Sequence, residues 1–514
     1  MHKVFMSEES TRSFDVVVVG YGPSAATLVN FLGQTGLSVA VVDKRTEVWP
    51  LPRAGHVDDE IVRVWQSMGL AEDLLPLLTD CAPYEFFTKD WRRYFRFDMP
   101  DGVSDQGYRR HYFFNQPLFE RTVRASNRSF PNVTELLGHE VVTIDDRGDS
   151  VVLALKDAVS GEESQVRAQY VAAFDGASSP TRNRLGIKMT EYDAGQDWLI
   201  VMVRVTAPDI ELPKVCFEWA GEDRAVSFMT PFPDSMRLWE FKVLPGEDPR
   251  ELERPERVWE LLSPWISPEQ GELMRADVYT FRSALADRWR VGRVFIGGDA
   301  AHQMTPKAGE GLGSGFRDAI NLAWKLASVI QRGSPDSLLD TYESERKPNV
   351  LAYIELSRFL IELLSAAAEG NVPPEEGSTG EPMQPLGPGL HGDRPPPAAT
   401  RSRQPRLADG TLLDDRVGYA FAVIAEPGLL AEVSDATRSV WEAIGAVVVS
   451  EISPQIQEWL ADLDVGALIV RPDRFLLDVA EDAGRLDQLT AELAVRLGVG
   501  DTGTLPLAPS QGVA

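Results

Sequence analysis

The chain has 514 residues, a formal net charge of −27 and two cysteines, Cys81 and Cys216. That length predicts two or three packed units, and the acidity argues against nucleic acid or an anionic membrane as partner, because polyphosphate surfaces repel it. No cysteine pair suits a disulfide framework or a zinc site, so no metal ligands are expected; no apolar run reaches signal-peptide or membrane-span length, so a reducing, cytoplasmic setting is expected.

Asp15-Val16-Val17-Val18-Val19 is a β-branched run too short for a helix, and it predicts a buried parallel strand. A helix over Pro23 to Gln34 and a strand over Ser38 to Val42, closing in Asp43, complete a βαβ unit. Between them stands Gly20-Tyr21-Gly22-Pro23-Ser24-Ala25, which matches the dinucleotide fingerprint. Gly20 permits the tight turn, Gly22 lets backbone N–H groups approach a pyrophosphate, and Ala25 allows close helix packing. Asp43 stands at the right distance to accept from a ribose hydroxyl, followed by Lys44 and Arg45. Arg45 either flanks an adenine or is a solvated surface residue.

Aromatic and basic residues interleave over 85–115 (Phe86, Phe87, Trp91, Tyr94, Phe95, Phe97), predicting strands, and Asn115 to Arg124 predicts a helix. After a strand at Tyr170 to Phe174 comes Asp175-Gly176-Ala177-Ser178-Ser179-Pro180-Thr181-Arg182. A second strand-rich stretch spans about 199–244, its alternation clearest in Val215 to Trp219 and Arg237 to Phe241. One face of such a sheet can line a cavity; Trp219, Met229 and Trp239 are the candidates to meet a substrate there, against a core role for the aromatics. A strand at Arg293 to Ile296 leads into Gly297-Gly298-Asp299-Ala300-Ala301-His302, then Pro306, Gly309, Gly311, Leu312, Gly313 and a long helix to about Gln331. Asp299 at a strand end can accept from a ribityl hydroxyl, and the bare N–H groups at Gly311 to Gly313 favour an anion. His302 reads as a satisfied structural residue. Residues 373–405, rich in Pro and Gly, read as a linker or extended arm, and 406–500 as a small α/β unit.

The three motifs, in this order, resemble those of the single-component flavoprotein aromatic hydroxylases. Pro52-Arg53-Ala54, Val57-Asp58-Asp59-Glu60, Trp239-Glu240-Phe241 and Asn321-Leu322-Ala323-Trp324-Lys325-Leu326 look most like the 3-(3-hydroxyphenyl)propionate hydroxylase group. The resemblance implies an α/β fold like that of p-hydroxybenzoate hydroxylase. It would have a Rossmann-like FAD-binding domain (14–80, 113–190, 276–365), an inserted substrate-binding sheet domain (81–112, 191–275), a linker or arm (366–405) and a thioredoxin-like C-terminal domain (406–510). Arg471-Pro472-Asp473 matches the usual ending of that last domain, which lacks a cysteine pair here, so assembly or stability is its expected role.

The resemblance also implies that Gly20, Gly22, Asp43, Arg53, Gln116, Asp299, Pro306 and Gly311 to Gly313 contact FAD, and that Asp175 with Gly176 and Arg182 serves both FAD and NADPH or NADH. The implied chemistry is oxygen transfer from a flavin C4a-hydroperoxide to a phenolic or hydroxylated heteroaromatic ring, in a dry cavity beneath Pro306, with molecular oxygen as co-substrate. His56 and His111 are the candidate bases for a ring hydroxyl. Thr305-Pro306-Lys307-Ala308-Gly309-Glu310 departs from the group in placing two charges beside the flavin edge, which leaves a bulkier phenol, a hydroxypyridine or a polyketide-type ring open. Epoxidation, Baeyer–Villiger insertion and a non-catalytic flavin-fold binder stay open as rivals, as does a homo-oligomer. The halogenase Trp-x-Trp-x-Ile-Pro segment is absent.

Overall fold

Val16 to Val19 lie almost wholly out of water in the strand Arg12–Val19, which pairs in parallel with Val39–Asp43 on one side and Glu163–Ala173 on the other. A parallel strand covered on both faces is apolar along its whole length, which is why this run shows no alternation. The structure, a computed structural model, describes residues 11–99, 101–371 and 384–500. The sheet continues through Val133–Leu137 beyond Val39–Asp43 and through Val294–Ile296 beyond Glu163–Ala173. His139–Asp146 and Val151–Asp157 extend it antiparallel. The helices Pro23–Gln34 and Gly311–Arg332 pack against each other beside it.

A second sheet of seven strands runs in the order Gly271–Phe281, Gln196–Val205, Met236–Lys242, Val226–Met229, Cys216–Trp219, Tyr84–Phe87, Arg93–Phe97. Its alternation separates two chemistries. Leu199, Val201, Phe217, Phe228, Trp239 and Phe241 form one apolar core with Leu252, Val258 and Leu262. The residues between them, among them Met202, Cys216, Met229 and Leu238, face the other way with Phe113 and Phe232. That second face is called the inner face below. Both cysteines fall in this second cluster, a proximity that their separation in sequence does not reveal.

Residues 81–112, expected wholly in this sheet, divide: Tyr84–Phe87 and Arg93–Phe97 join it, while His111–Phe113 pairs with His56–Asp58 and Thr79–Asp80 in a separate small sheet. The sheet's last strand also runs on to Phe281, past the expected limit at 275.

Of the expected linker, 366–368 complete the helix Thr341–Ala368, 372–383 lie outside the described residues, and 384–405 are packed rather than extended away. Arg63 binds there, donating Nη1 to Ser402 O at 2.6 Å, and Leu386, Leu390 and Ala399 are buried. The last unit has a four-stranded sheet ordered Val447–Val449, Ala422–Ala425, Ala467–Val470, Leu476–Ala480, with the first pair parallel and the others antiparallel. Its core takes in Trp324 and Leu338 of the preceding unit. No helix among the described residues is long and apolar enough to cross a membrane.

Candidate functional site

The site is built where three distant segments meet. Gly20 has φ +95°, and a Cβ on it would lie 2.4 Å from Phe174 O, so the first motif is pressed onto the strand end that opens the Asp175 motif. A Cβ on Gly315 would lie 2.3 Å from Ser24 Oγ and 3.4 Å from Gly298 Cα, so the helix that follows the third motif touches the turns of the first and third motifs. These close approaches dictate the residue type, since any side chain would push the segments apart.

Gly22 is different. A Cβ there would meet nothing within 4 Å, and the helix it begins has no side-chain cap. The helix Gly311–Arg332 also starts without a side-chain cap, after Glu310. Two sets of helix-terminal N–H groups are thus left for an external acceptor. Arg124, nine-tenths buried, stacks on the Tyr21 ring at 4.3 Å and donates to Tyr21 O, leaving its Nε and Nη1 without a hydrogen-bond partner. Its Nη2 also lies 3.6 Å from Glu120 Oε2, so two nitrogens of a buried, singly paired guanidinium remain beside an uncapped helix start, which fits a phosphate ligand.

Asp43 accepts from the backbone N–H of Tyr21 and of Arg45, each at 2.7 Å. Lys44 is exposed. Arg45 and Arg53 lie over the ring of Trp49 at 4.7 and 5.2 Å. Gln116 holds the Arg53 segment, its Oε1 accepting from Arg53 N at 3.0 Å and Ala54 N at 2.8 Å.

Asp299 is open to water, yet burial pushes its carboxyl above the usual range, against the pull of His302 and Arg53. Asp175 is consumed by its own motif, accepting from Ser179 Oγ and from Thr181 N at 3.0 Å. Gly176 stands at φ +85° with open space at its Cβ. Arg182 ties that motif to the third by donating to Ala300 O and Ala177 O, both at 3.0 Å. His302 is buried against Asp318, 2.6 Å from its Oδ2, and Asp318 also accepts from Gly298 N. Burial opposes the Asp318 charge, but His302 and Arg346 outweigh it and hold its pKa low, which makes the pair a brace beneath the third motif.

The turn Pro306–Ala308 ends in Gly309 at φ +71°, where a Cβ would lie 2.7 Å from His56 Nδ1. His56 Nε2 and His111 Nδ1 are 3.0 Å apart. Burial, then the neighbouring His56, lowers the His111 pKa to about 3, so it is a neutral imidazole at working pH. The two charges flagged in this segment are both paired. Glu310 accepts from Arg317 at 2.6 Å, within a network that includes Asp58 and Glu60. Lys307 is buried and donates to Glu218 at 2.9 Å, Glu240 at 2.8 Å and Ser227 at 2.5 Å.

Trp219 and Trp239 do not share that face: Trp239 is in the opposite core and Trp219 stacks on Trp91 at 4.4 Å. Period-two alternation explains the correction, because Glu218 and Glu240 point inward and their neighbours must point out. Met229 lies on the inner face.

Sequence reading missed Arg124, Glu218, Ser227 and Glu240. The signals were present: Gln116, Glu120 and Arg124 recur every fourth residue on one helix face, and Phe217-Glu218-Trp219 and Trp239-Glu240-Phe241 each set an acid between two aromatics.

Residues 13–357 match the family model described as an FAD binding domain. The chain belongs to this FAD-dependent aromatic hydroxylase family. It is 31% identical to the 3-(3-hydroxy-phenyl)propionate/3-hydroxycinnamic acid hydroxylases of Escherichia coli O8 (strain IAI1) and Shigella sonnei (strain Ss046), over 91% of this chain and 92% of each relative. Among solved structures, aklavinone-11 hydroxylase with FAD and aklavinone superposes with a TM-score of 0.78 at 21% identity, covering 96% of this chain and 100% of that one. The flavin-dependent monooxygenase PieE with FAD and substrate gives 0.76 at 20%, covering 94% and 99%. The fold is therefore that of the FAD hydroxylases, with FAD as cofactor.

Proposed function

We propose that this chain is a monooxygenase that hydroxylates a small phenol-like aromatic ring, drawing electrons from NADPH or NADH and oxygen from O2 in a cytoplasmic setting. The observation that carries the reading is the convergence of Gly20–Ala25, Gly297–His302 and Gly311–Gly315 about two uncapped helix starts and a buried arginine, Arg124, whose Nε and Nη1 have no hydrogen-bond partner.

In this reading the domains are those expected from the sequence, with the sheet limits moved to those described above. Gly22, Pro23, Ser24, Ala25 and Arg124 hold the pyrophosphate, Asp43 the adenosine ribose, and Asp299 the ribityl chain. Gly311, Leu312 and Gly313 present N–H groups to the isoalloxazine edge. Bound FAD supplies the redox and oxygen-activating chemistry. The protein's own work is to position and to exclude water. Asp175 and Arg182 hold their turn in place, and Met229 with its inner-face neighbours gives the ring an apolar wall. His111, neutral and bonded to His56, can accept a hydrogen bond from a ring hydroxyl and so orient the ring, while its lowered pKa keeps it from taking up the proton itself. Pro306 and Gly309 seat this pair against the flavin side.

The test is direct. The purified protein should be yellow and bleach with NAD(P)H under nitrogen. In air, a phenol or hydroxypyridine should stimulate NAD(P)H oxidation and gain the mass of one oxygen. A colourless protein that refuses added FAD would overturn the reading.

A further inference from the structure

The side chain of Lys307 leaves the turn Pro306–Ala308 and crosses to the inner face of the central sheet, where it meets three adjacent strands at once. Its ammonium donates to Glu218 of Cys216–Trp219, Ser227 of Val226–Met229 and Glu240 of Met236–Lys242. All three N–H bonds of the ammonium are thereby used, and the Trp198 ring lies 4.3 Å away on a fourth strand. Glu218 is fixed in turn by Ser227 Oγ at 2.6 Å and by the Tyr84 hydroxyl. Lys307, Glu218, Ser227 and Glu240 are all buried. No other charged side chain on that turn reaches the sheet, since Glu310 is held by Arg317 in the opposite direction.

We propose that Lys307 is a positioning residue, a buried bridge that fixes the spacing between the Pro306 turn and the central sheet and so keeps the space between them the width of one flat ring and closed to water. The inference rests on the reading that the ring binds between this turn and the inner face. A slack bridge would leave most of the cofactor's contacts in place, because Gly20–Ala25, Gly297–His302 and Gly315 meet one another without Lys307. It would instead change what becomes of oxygen. NAD(P)H, a proton and O2 are consumed either way, but with water admitted the products are NAD(P)+ and hydrogen peroxide, rather than NAD(P)+, water and a hydroxylated ring.

The test uses Lys307→Met with Glu240→Gln, which removes one charge of each sign and leaves the net charge of the cluster unchanged. The double variant should retain FAD while the hydroxylated product formed per NAD(P)H falls at least about fivefold, the balance appearing as hydrogen peroxide. Amide exchange at Lys307 to Glu310 should accelerate about tenfold, with and without FAD. Lys307→Arg, which keeps the donor, should recover most of both effects. Should the double variant fail to fold, Ser227→Ala removes one acceptor and no charge, and is read by the same two measurements. Unchanged product per NAD(P)H, or unchanged exchange at the turn, overturns the bridge. If instead wild-type enzyme hydroxylates no ring, the functional reading fails, while the exchange measurement still decides whether Lys307 holds the turn.

Discussion

Among the described residues two lysines are buried, and their surroundings oppose each other. Lys307 faces two carboxylates with no cation beside it; burial disfavours its charge, but Glu218 and Glu240 outweigh that and raise its pKa. Lys325 donates to Glu345 at 2.6 Å, but the same carboxylate is held by Arg471 at 2.7 Å. Burial, only partly offset by Glu345 and reinforced by Arg471, lowers Lys325 to about 8. Equal burial therefore does not decide the charge; the number of claimants on each carboxylate does. The two clusters also do different work, one joining the Pro306 turn to the central sheet and the other joining the helix Gly311–Arg332 to Arg471 and Asp473 of the C-terminal unit. Asp299 completes the series as a crowded carboxyl with no ion pair among the described residues, the state expected of a group whose partner is a ligand.

The largest effect is expected from Lys307→Met alone. It leaves two buried carboxylates without their cation and should cost about 3–5 kcal/mol in urea denaturation. A loss under 1 kcal/mol would mean that the glutamates simply take up protons, a route already eased at Glu218, which burial, with Glu240 adding to it, pushes up against the pull of Lys307. Next, Asp299→Ala should weaken FAD retention roughly tenfold, the loss of about one hydrogen bond to a charged acceptor. Equilibrium dialysis with FAD checks this, and full retention would remove Asp299 from the site. Lys325→Met should cost only about 1 kcal/mol or less, because Arg471 remains to pair with Glu345. A loss as large as that of Lys307→Met would erase the distinction between the clusters.

What was readable in the sequence follows the same division. Glycine positions such as Gly20 announce themselves because a turn at φ +95° favours nothing else, and Gly20 and Gly298 sit where local spacing can place them, whereas Gly315, 2.3 Å from Ser24 Oγ at its Cβ, stands out only in three dimensions. The βαβ unit was readable for the same reason, its strand, turn and helix all lying within 35 residues of one another. Ion clusters were not: Lys307 and Glu218 are 89 positions apart, Arg471 and Glu345 126, and nothing in local spacing selects one carboxylate among the 78 acidic residues. The direction of Trp219 and Trp239 was within reach, since an acid between two aromatics in a strand must face opposite to both. For Trp219 and Trp239 the core alternative holds, because alternation assigns the inner face to Glu218 and Glu240.

The prediction whose sign best separates the two lysines is a pH dependence. An unfolded lysine keeps its proton to about pH 10.4, whereas folded Lys325 releases its own near 8. Between those values the unfolded chain binds more protons, so the contribution of this group to stability rises with pH, and below pH 8 it is flat. Wild-type protein compared with Lys325→Met at pH 7, 8, 9 and 10 should therefore gain in relative urea midpoint only above pH 8, and the comparison cancels the titration of every other group. A strong ion pair would behave in the opposite way, losing stability as the lysine discharges above its unfolded value, and that is the behaviour expected at Lys307. A midpoint difference that stays flat from pH 7 to 10 would mean that Glu345 serves Lys325 before Arg471.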